Sequence, residues 1–165
     1  RPESSRTPRG AEFREDIQRI TDQEGRELPS RRIYERFMEA YVDQPNGRIK
    51  FLDHHTFPDP DQKGRRICAA DITDRGVEKR IEGHGNGPID GFVNALSLYL
   101  GIPLSVEDYA EHSLQHGSDA SAIAYVEMRH AGGKLCGAGV NTNIVGASLS
   151  AVVSAVNRVL ERSEA

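Results

Sequence analysis

Between residues 83 and 91 the chain reads GHGNGPIDG, four glycines and a proline directly ahead of an apolar helical pattern. Bare backbone at the start of a helix suits an anion, because N–H groups point outward there and the helix dipole favours negative charge. A nucleotide phosphate fits poorly. Gly83 and Gly85 supply Gly-x-Gly, but Pro88 stands where a dinucleotide fingerprint places its third glycine. Neither half of the chain carries the Lys-Ser/Thr of a phosphate-binding loop. A second Gly-x-Gly, Gly137 and Gly139, follows about 54 residues on and again precedes a helical pattern.

The other reactive side chains lack a chemical setting. His112 and His116 have metal-ligand spacing only on a helix; on a strand they would stand about 13 Å apart. The tandem His54–His55 would point to opposite faces of a strand. No Ser or Cys sits in a nucleophile signature such as Gly-x-Ser-x-Gly. Cys68 and Cys136 each lie in an apolar run, as buried free thiols of a reducing compartment do. The reading is therefore no catalytic residue, no metal ligand and no cofactor within this chain.

Composition narrows the classes. Of 165 residues 28% are charged, with a net charge of only −4, which argues against a nucleic-acid surface. No apolar run approaches the roughly 20 residues of a membrane span. RPESSRTPRG at the start is charged and has no apolar region behind it, unlike a signal peptide. The expectation is a soluble cytoplasmic protein that engages neither membrane nor nucleic acid.

The elements that must position the glycine box can be read from periodicity. Residues 1–10 predict a disordered or tethering segment. Residues 11–46 predict a small helical subdomain, with Phe13, Ile17 and Ile20 on one face of a first helix and Ile33, Phe37 and Tyr41 on one face of a second. DQPNG at 43–47 stops it. Two short helices cannot bury their stripes alone, so they require a further packing partner. From 47 onward the pattern changes to strands at 48–57, 65–73 and 77–83. A helix follows with Ile89, Phe92, Val93, Leu96 and Leu100 on one face, ended by Gly101 and Pro103. The second half repeats the order, with strands at 104–114, 117–129 and 134–140 and a final helix carrying Ile144, Ala147, Ala151, Val152, Ala155 and Val159. The fold class is α/β (α+β): a duplicated βββα module, with repeats at about 47–101 and 102–160 of a domain spanning 47–165. VEDYAEHSLQH has good helix propensity, but the repeat demands a strand there, and tertiary context overrides weak propensity.

Taken together, GHGNGPIDGFVNAL, EDYAEHSLQHGSDASAIAYVE and GAGVNTNIVGASLSAVVSAVN closely resemble the C-terminal regulatory domain of the 2-isopropylmalate synthase family, in its longer branch. FREDIQRITDQEGRELPSRRIYERF is similar to that family's helical linker, so the resemblance spans about residues 8–160. It implies a homodimeric feedback sensor for L-leucine in leucine biosynthesis. The parent enzyme would condense acetyl-CoA with 2-oxoisovalerate on a separate TIM barrel with its own divalent metal, and eight strand–helix units do not fit in this chain. By family position the leucine site would comprise Gly85, Asn86, Gly87, Pro88, Ile89, Val106, Tyr109, Ser113, Ala120, Ala122 and Ile144. Backbone N–H groups at 85–87 would take the carboxylate and the apolar residues the isobutyl group. Ser113, where family members often carry Ala, and Asn143, where shorter-branch relatives carry Asp, depart from the pattern.

Three rival readings follow. A citramalate synthase regulatory domain would have the same fold and bind isoleucine, which shape alone separates from leucine by about 1–3 kcal/mol. A pure dimerisation module would give no saturable amino-acid response. A free-standing enzyme would turn over acetyl-CoA with 2-oxoisovalerate, which this chain is expected not to do.

Overall fold

The computed structural model describes residues 38–113 and 121–163, together with the backbone of Leu114. The proposed tether, most of the helical subdomain, Ala120 and His116 lie outside these residues. Six strands and two long helices follow a short π-helical turn, Met38–Asp43. The strands are β1 (Ile49–Pro58), β2 (Arg66–Asp74), β3 (Val77–Gly85), β4 (Ser105–Leu114), β5 (Ser121–His130) and β6 (Gly133–Asn141). The helices are α1 (Pro88–Leu100), after β3, and α2 (Ile144–Ser163), after β6. The strands form two antiparallel three-stranded sheets, β1-β2-β3 and β4-β5-β6, so the βββα duplication is the architecture.

Alternation along the strands explains the layering. Cys68, Ala70 and Ile72 on β2 and Ala122, Ala124, Val126 and Met128 on β5 face one shared core. Phe92, Ala95 and Leu96 of α1 and Leu149, Val152 and Val156 of α2 enter the same core. Each helix packs on its own sheet and also reaches the first strand of the other: α1 touches β4, and α2 touches β1. The segment at 105–114 is a strand, since β5 offers it an antiparallel partner along its length, although its own described residues are only half-buried or exposed.

The repeat distance differs from the 54 residues suggested by the two Gly-x-Gly pairs. Gly83 opposes Cys68 as Gly139 opposes Ala124, a shift of 56. The helices begin 56 apart as well, at Pro88 and Ile144. Helix contact sets this register. A Cβ on Gly83 would stand 2.1 Å from the Gly91 carbonyl oxygen and 2.4 Å from Ala95 N; on Gly139 it would stand 2.4 Å from the Ala147 oxygen and 2.5 Å from Ala151 N. Gly83 therefore matches Gly139, and Gly85 matches Asn141. The first strands run 55 apart, each with a bulge, at Phe51/Asp53 and Val106/Asp108.

The outer face of the second sheet carries a smaller cluster of Ile123, Tyr125, Cys136 and Ala138, capped by Met38, Tyr41 and Val42 of the π-helical turn. Contacts with α2 hold this turn and the residue that follows it. Gln44 Nε2 donates to the Ser154 carbonyl at 3.0 Å, and Asn157 Nδ2 lies 3.0 Å from Gln44 Oε1. The Arg158 guanidinium stands 4.5 Å above the Tyr41 ring. Asn157 also pairs with both backbone groups of Ile49, accepting from its N–H at 2.8 Å and donating to its carbonyl at 2.9 Å. A cavity of about 430 Å³, lined in part by Gln44, Arg48, Asn157 and Arg158, lies at this joint.

Candidate functional site

The glycine box divides in two once its neighbours are known. Gly83, Gly85 and Gly91 are glycines because the helix backbone or Cys68 occupies the space a Cβ would need. Gly87, the N-cap of α1, is different: its φ of −167° suits any residue, and a Cβ there would meet nothing within 4 Å. Neither packing nor backbone geometry accounts for it. Pro88 takes the first helical position, where its missing N–H costs nothing. The Asn86 N–H is already engaged, donating to the Asp90 carboxylate at 3.0 Å. The carboxylate thus stands at the mouth where an anion was expected.

At α2 the same role is played from the other side. Asn143 caps the helix, its Oδ1 accepting from the Gly146 N–H at 3.1 Å, and Asn141 Oδ1 accepts from the Asn143 N–H at 3.0 Å. In the first repeat the strand residue is Gly85 and the helix residue Asp90; in the second they are Asn141 and Gly146. The polar side chain has changed sides, and each glycine makes room for it.

The remaining candidates gather where β6 hands over to α2. Ser113 on β4 pairs with Ala122 on β5, which pairs with Asn141 at the end of β6. Tyr109, four residues along β4 from Ser113, points to the same inner face. Its hydroxyl lies 3.3 Å from Ser148 Oγ on α2 and also donates to the Glu111 carboxylate. Ser148 Oγ contacts the Ile144 carbonyl at 3.0 Å. Ile144 itself is 45% exposed and Tyr109 36%, while Ser148 is buried. Burial, with the Glu111 hydrogen bond, raises the Tyr109 pKa above its ordinary value and keeps the phenol protonated at neutral pH. Tyr109, Ser113 and Ile144 are thus exposed beside the buried Ser148 and Ala122, where β4 lies near the first turn of α2. Ile89 and Val106 are partly buried and pack on the shared core.

The first repeat is packed differently. The position of Ser148 is held there by Phe92, which is fully buried and meets Phe51 edge to face at 5.8 Å. Tyr109 corresponds to His54, which stacks on Phe51 at 6.0 Å. Glu111 escaped sequence reasoning, whereas Ser148 stands out there only as one of the small residues of the last helix, Gly146, Ala147, Ser148, Ala151 and Ala155, which suit helix packing, a pocket or a subunit interface. Aligning the halves at 56 would have set Ser148 against Phe92 and exposed the difference.

The histidine readings can be placed in part. His54 and His55 occupy neighbouring pairing positions on β1, with His54 against Phe51 and His55 3.9 Å from Asp53. Among the described residues no three His, Cys, Asp or Glu side chains converge as metal ligands. The Cys68 thiol is pushed up to about 11 by burial, leaving it protonated. Helix α2 is long and apolar enough to cross a bilayer, but it is mostly buried as a core element of this fold.

Comparison with known proteins matches residues 27–160 to the family model of the LeuA allosteric (dimerisation) domain. The chain is 77% identical over 150 residues to a 2-isopropylmalate synthase of Agrobacterium fabrum, covering 91% of the chain and 27% of that protein. It is 70% identical over 151 residues to a 2-isopropylmalate synthase of Brucella suis, covering 92% and 27%. A more distant 2-isopropylmalate synthase, from Thermobifida fusca, is 42% identical over 147 residues, covering 89% and 25%. The chain therefore spans about a quarter of the length of these curated relatives.

Proposed function

Because the chain belongs to the LeuA allosteric (dimerisation) domain family, we propose that it is the leucine sensor of a cytoplasmic 2-isopropylmalate synthase and works as a homodimer. The condensation of acetyl-CoA with 2-oxoisovalerate, and the divalent metal that assists it, belong on this reading to a TIM-barrel domain outside this chain. The fragment alone turns nothing over. Its task is to bind L-leucine, the end product, and bias the barrel toward a less active state.

The observation that carries the reading is the asymmetry between the repeats. A duplicated fold gives two equivalent positions between a first strand and a helix start. One is filled by Phe92; the other holds the smaller Ser148, and we read the side between the partly exposed Ile144 and Tyr109 as the ligand cleft. An isobutyl group fits among Ile144, Ala122 and Tyr109. Gly87, with open space above it and no structural demand for glycine, supports the α1 mouth as the second wall, contributed by the same or the partner subunit.

Calorimetric titration of the chain with L-leucine, L-isoleucine and L-valine tests this. Saturable binding with leucine preferred is the expected result. Preference for isoleucine would assign the chain to a citramalate-type sensor. A dimer with no saturable response to any of the three would reduce it to a dimerisation module.

A further inference from the structure

The cleft beside α2 has a hydrogen-bond inventory that does not close. Three oxygen–oxygen contacts meet there: Tyr109 hydroxyl to Glu111 carboxylate, Ser148 Oγ to Tyr109 hydroxyl at 3.3 Å, and Ser148 Oγ to the Ile144 carbonyl at 3.0 Å. Only two protons serve them, one on each hydroxyl, since a carboxylate and a carbonyl only accept. When Tyr109 donates to Glu111 and Ser148 donates to Ile144, the two hydroxyl oxygens face each other with lone pairs and no proton.

Glu111 is an exposed carboxylate beside these hydroxyls on edge strand β4. It opposes Ala124, a fully buried core residue, and shares the inner face of β4 with Tyr109 and Ser113. Glu111, Tyr109 and Ser113 are all exposed, so this part of the face meets solvent. The matching station in the first repeat holds Thr56, without charge, opposite Cys68. At this station the carboxylate occurs in the second repeat alone.

The geometry points to Glu111, with the hydroxyl oxygens of Tyr109 and Ser148, as the receptor for the α-ammonium group of the bound amino acid. An ammonium supplies three N–H donors and one positive charge, which completes the proton count and pairs the Glu111 carboxylate. Glu111 would then be a specificity-determining residue, selecting amino acids over the 2-oxo and 2-hydroxy acids of similar shape that a biosynthetic enzyme also meets. This rests on the reading that an amino acid occupies the cleft.

Titrating the wild-type chain and its Glu111→Gln variant with L-leucine and with 4-methylpentanoate, the same skeleton without the ammonium, tests it. Glutamine keeps an acceptor for Tyr109 and removes only the charge. Wild type should bind leucine at least about tenfold more tightly than 4-methylpentanoate, and the variant should lose about that factor for leucine alone. Undiminished leucine binding by the variant, or equal losses for both ligands, would overturn the assignment. Undiminished binding accompanied by aggregation would make Glu111 an edge-strand protector instead. A wild-type chain that binds no leucine would overturn the sensor reading and this assignment with it.

Discussion

Phe92 and Ser148 stand at the same station of two copies of one fold, 56 residues apart, and both are buried. One fills its station with an aromatic ring that meets Phe51; the other leaves its station to two hydroxyls. Because interiors pack as densely as organic crystals, a volume difference of this size between equivalent positions has to be answered by neighbours or left as a cleft. Val106 and Tyr109 hold the stations of Phe51 and His54, and Tyr109 remains partly exposed.

Closing the cleft from its exposed side should abolish sensing without unfolding. Ile144→Trp adds bulk at a side chain that is 45% exposed, so the fold should tolerate it. In wild type, leucine at about 100 times its Kd should stabilise the folded state by about 2.7 kcal/mol and raise Tm by several degrees. The variant should show a normal Tm without ligand and no leucine shift. A retained shift would place the isobutyl group elsewhere.

The glycines of the box should separate cleanly on substitution. Gly87→Asp puts its side chain into open space with an unstrained φ, so Tm should hold, while leucine binding is lost to a second carboxylate beside Asp90. Gly83→Ala drives a methyl group into the α1 backbone and should cost about 3 kcal/mol or more. Urea denaturation of both variants, with leucine titration of the first, checks the pair. Equal destabilisation would show that Gly87 too is a packing glycine.

Asp74 gives a pH signature. Its carboxylate bonds Arg48 Nε at 2.8 Å and receives the Tyr99 hydroxyl at 2.7 Å; the Arg48 hydrogen bond is the main force holding its pKa below the ordinary 3.8. A lowered folded-state pKa stabilises above the unfolded value and loses that contribution as pH falls through the folded one. Asp74→Asn should therefore melt below wild type at pH 7, and the gap should narrow as pH drops below about 4. A gap independent of pH would mean that shape rather than charge is lost.

Asn157 should matter more than its polarity suggests. Asn157→Ala strands the N–H and carbonyl of Ile49, which is 1% exposed, and removes the partner of Gln44. Leaving two buried backbone groups unpaired should cost about 2–4 kcal/mol in urea denaturation. Amide exchange should quicken at residues 38–47 before it does in β2 or β5. Unchanged exchange there would show that the π-helical turn is held by its apolar contacts alone.

The architecture was legible because alternation and glycine–proline punctuation speak directly to sheet and helix boundaries. Gly101, in the left-handed region with φ 68°, ends α1 as its position suggested. The strand at 105–114 was recoverable only from the repeat, since its local propensity is helical. The repeat distance came out two residues short because like motif was matched to like motif, whereas the structure matches equal approaches of helix to strand. With the halves aligned at 54, Phe92 falls against Gly146 rather than Ser148, and the loss of an aromatic ring passes for a glycine at a helix start. The two bulges and the π-helical turn leave no periodic trace, because each is a single departure from a period.

Helix α2 begins at Ile144, beside the cleft, and holds the π-helical turn through Ser154, Asn157 and Arg158. Fourteen residues at 1.5 Å each put Arg158 about 21 Å from Ile144 along one unbroken axis. Rotating such a rod by 5° about its first turn sweeps its far end through about 2 Å. That is comparable to the whole difference between a 3.0 Å hydrogen bond from Gln44 to Ser154 and none. A molecule the size of one amino acid, wedged at the start of the rod, need not deform the core to be felt at the joint. It has only to change the angle at which the rod lies.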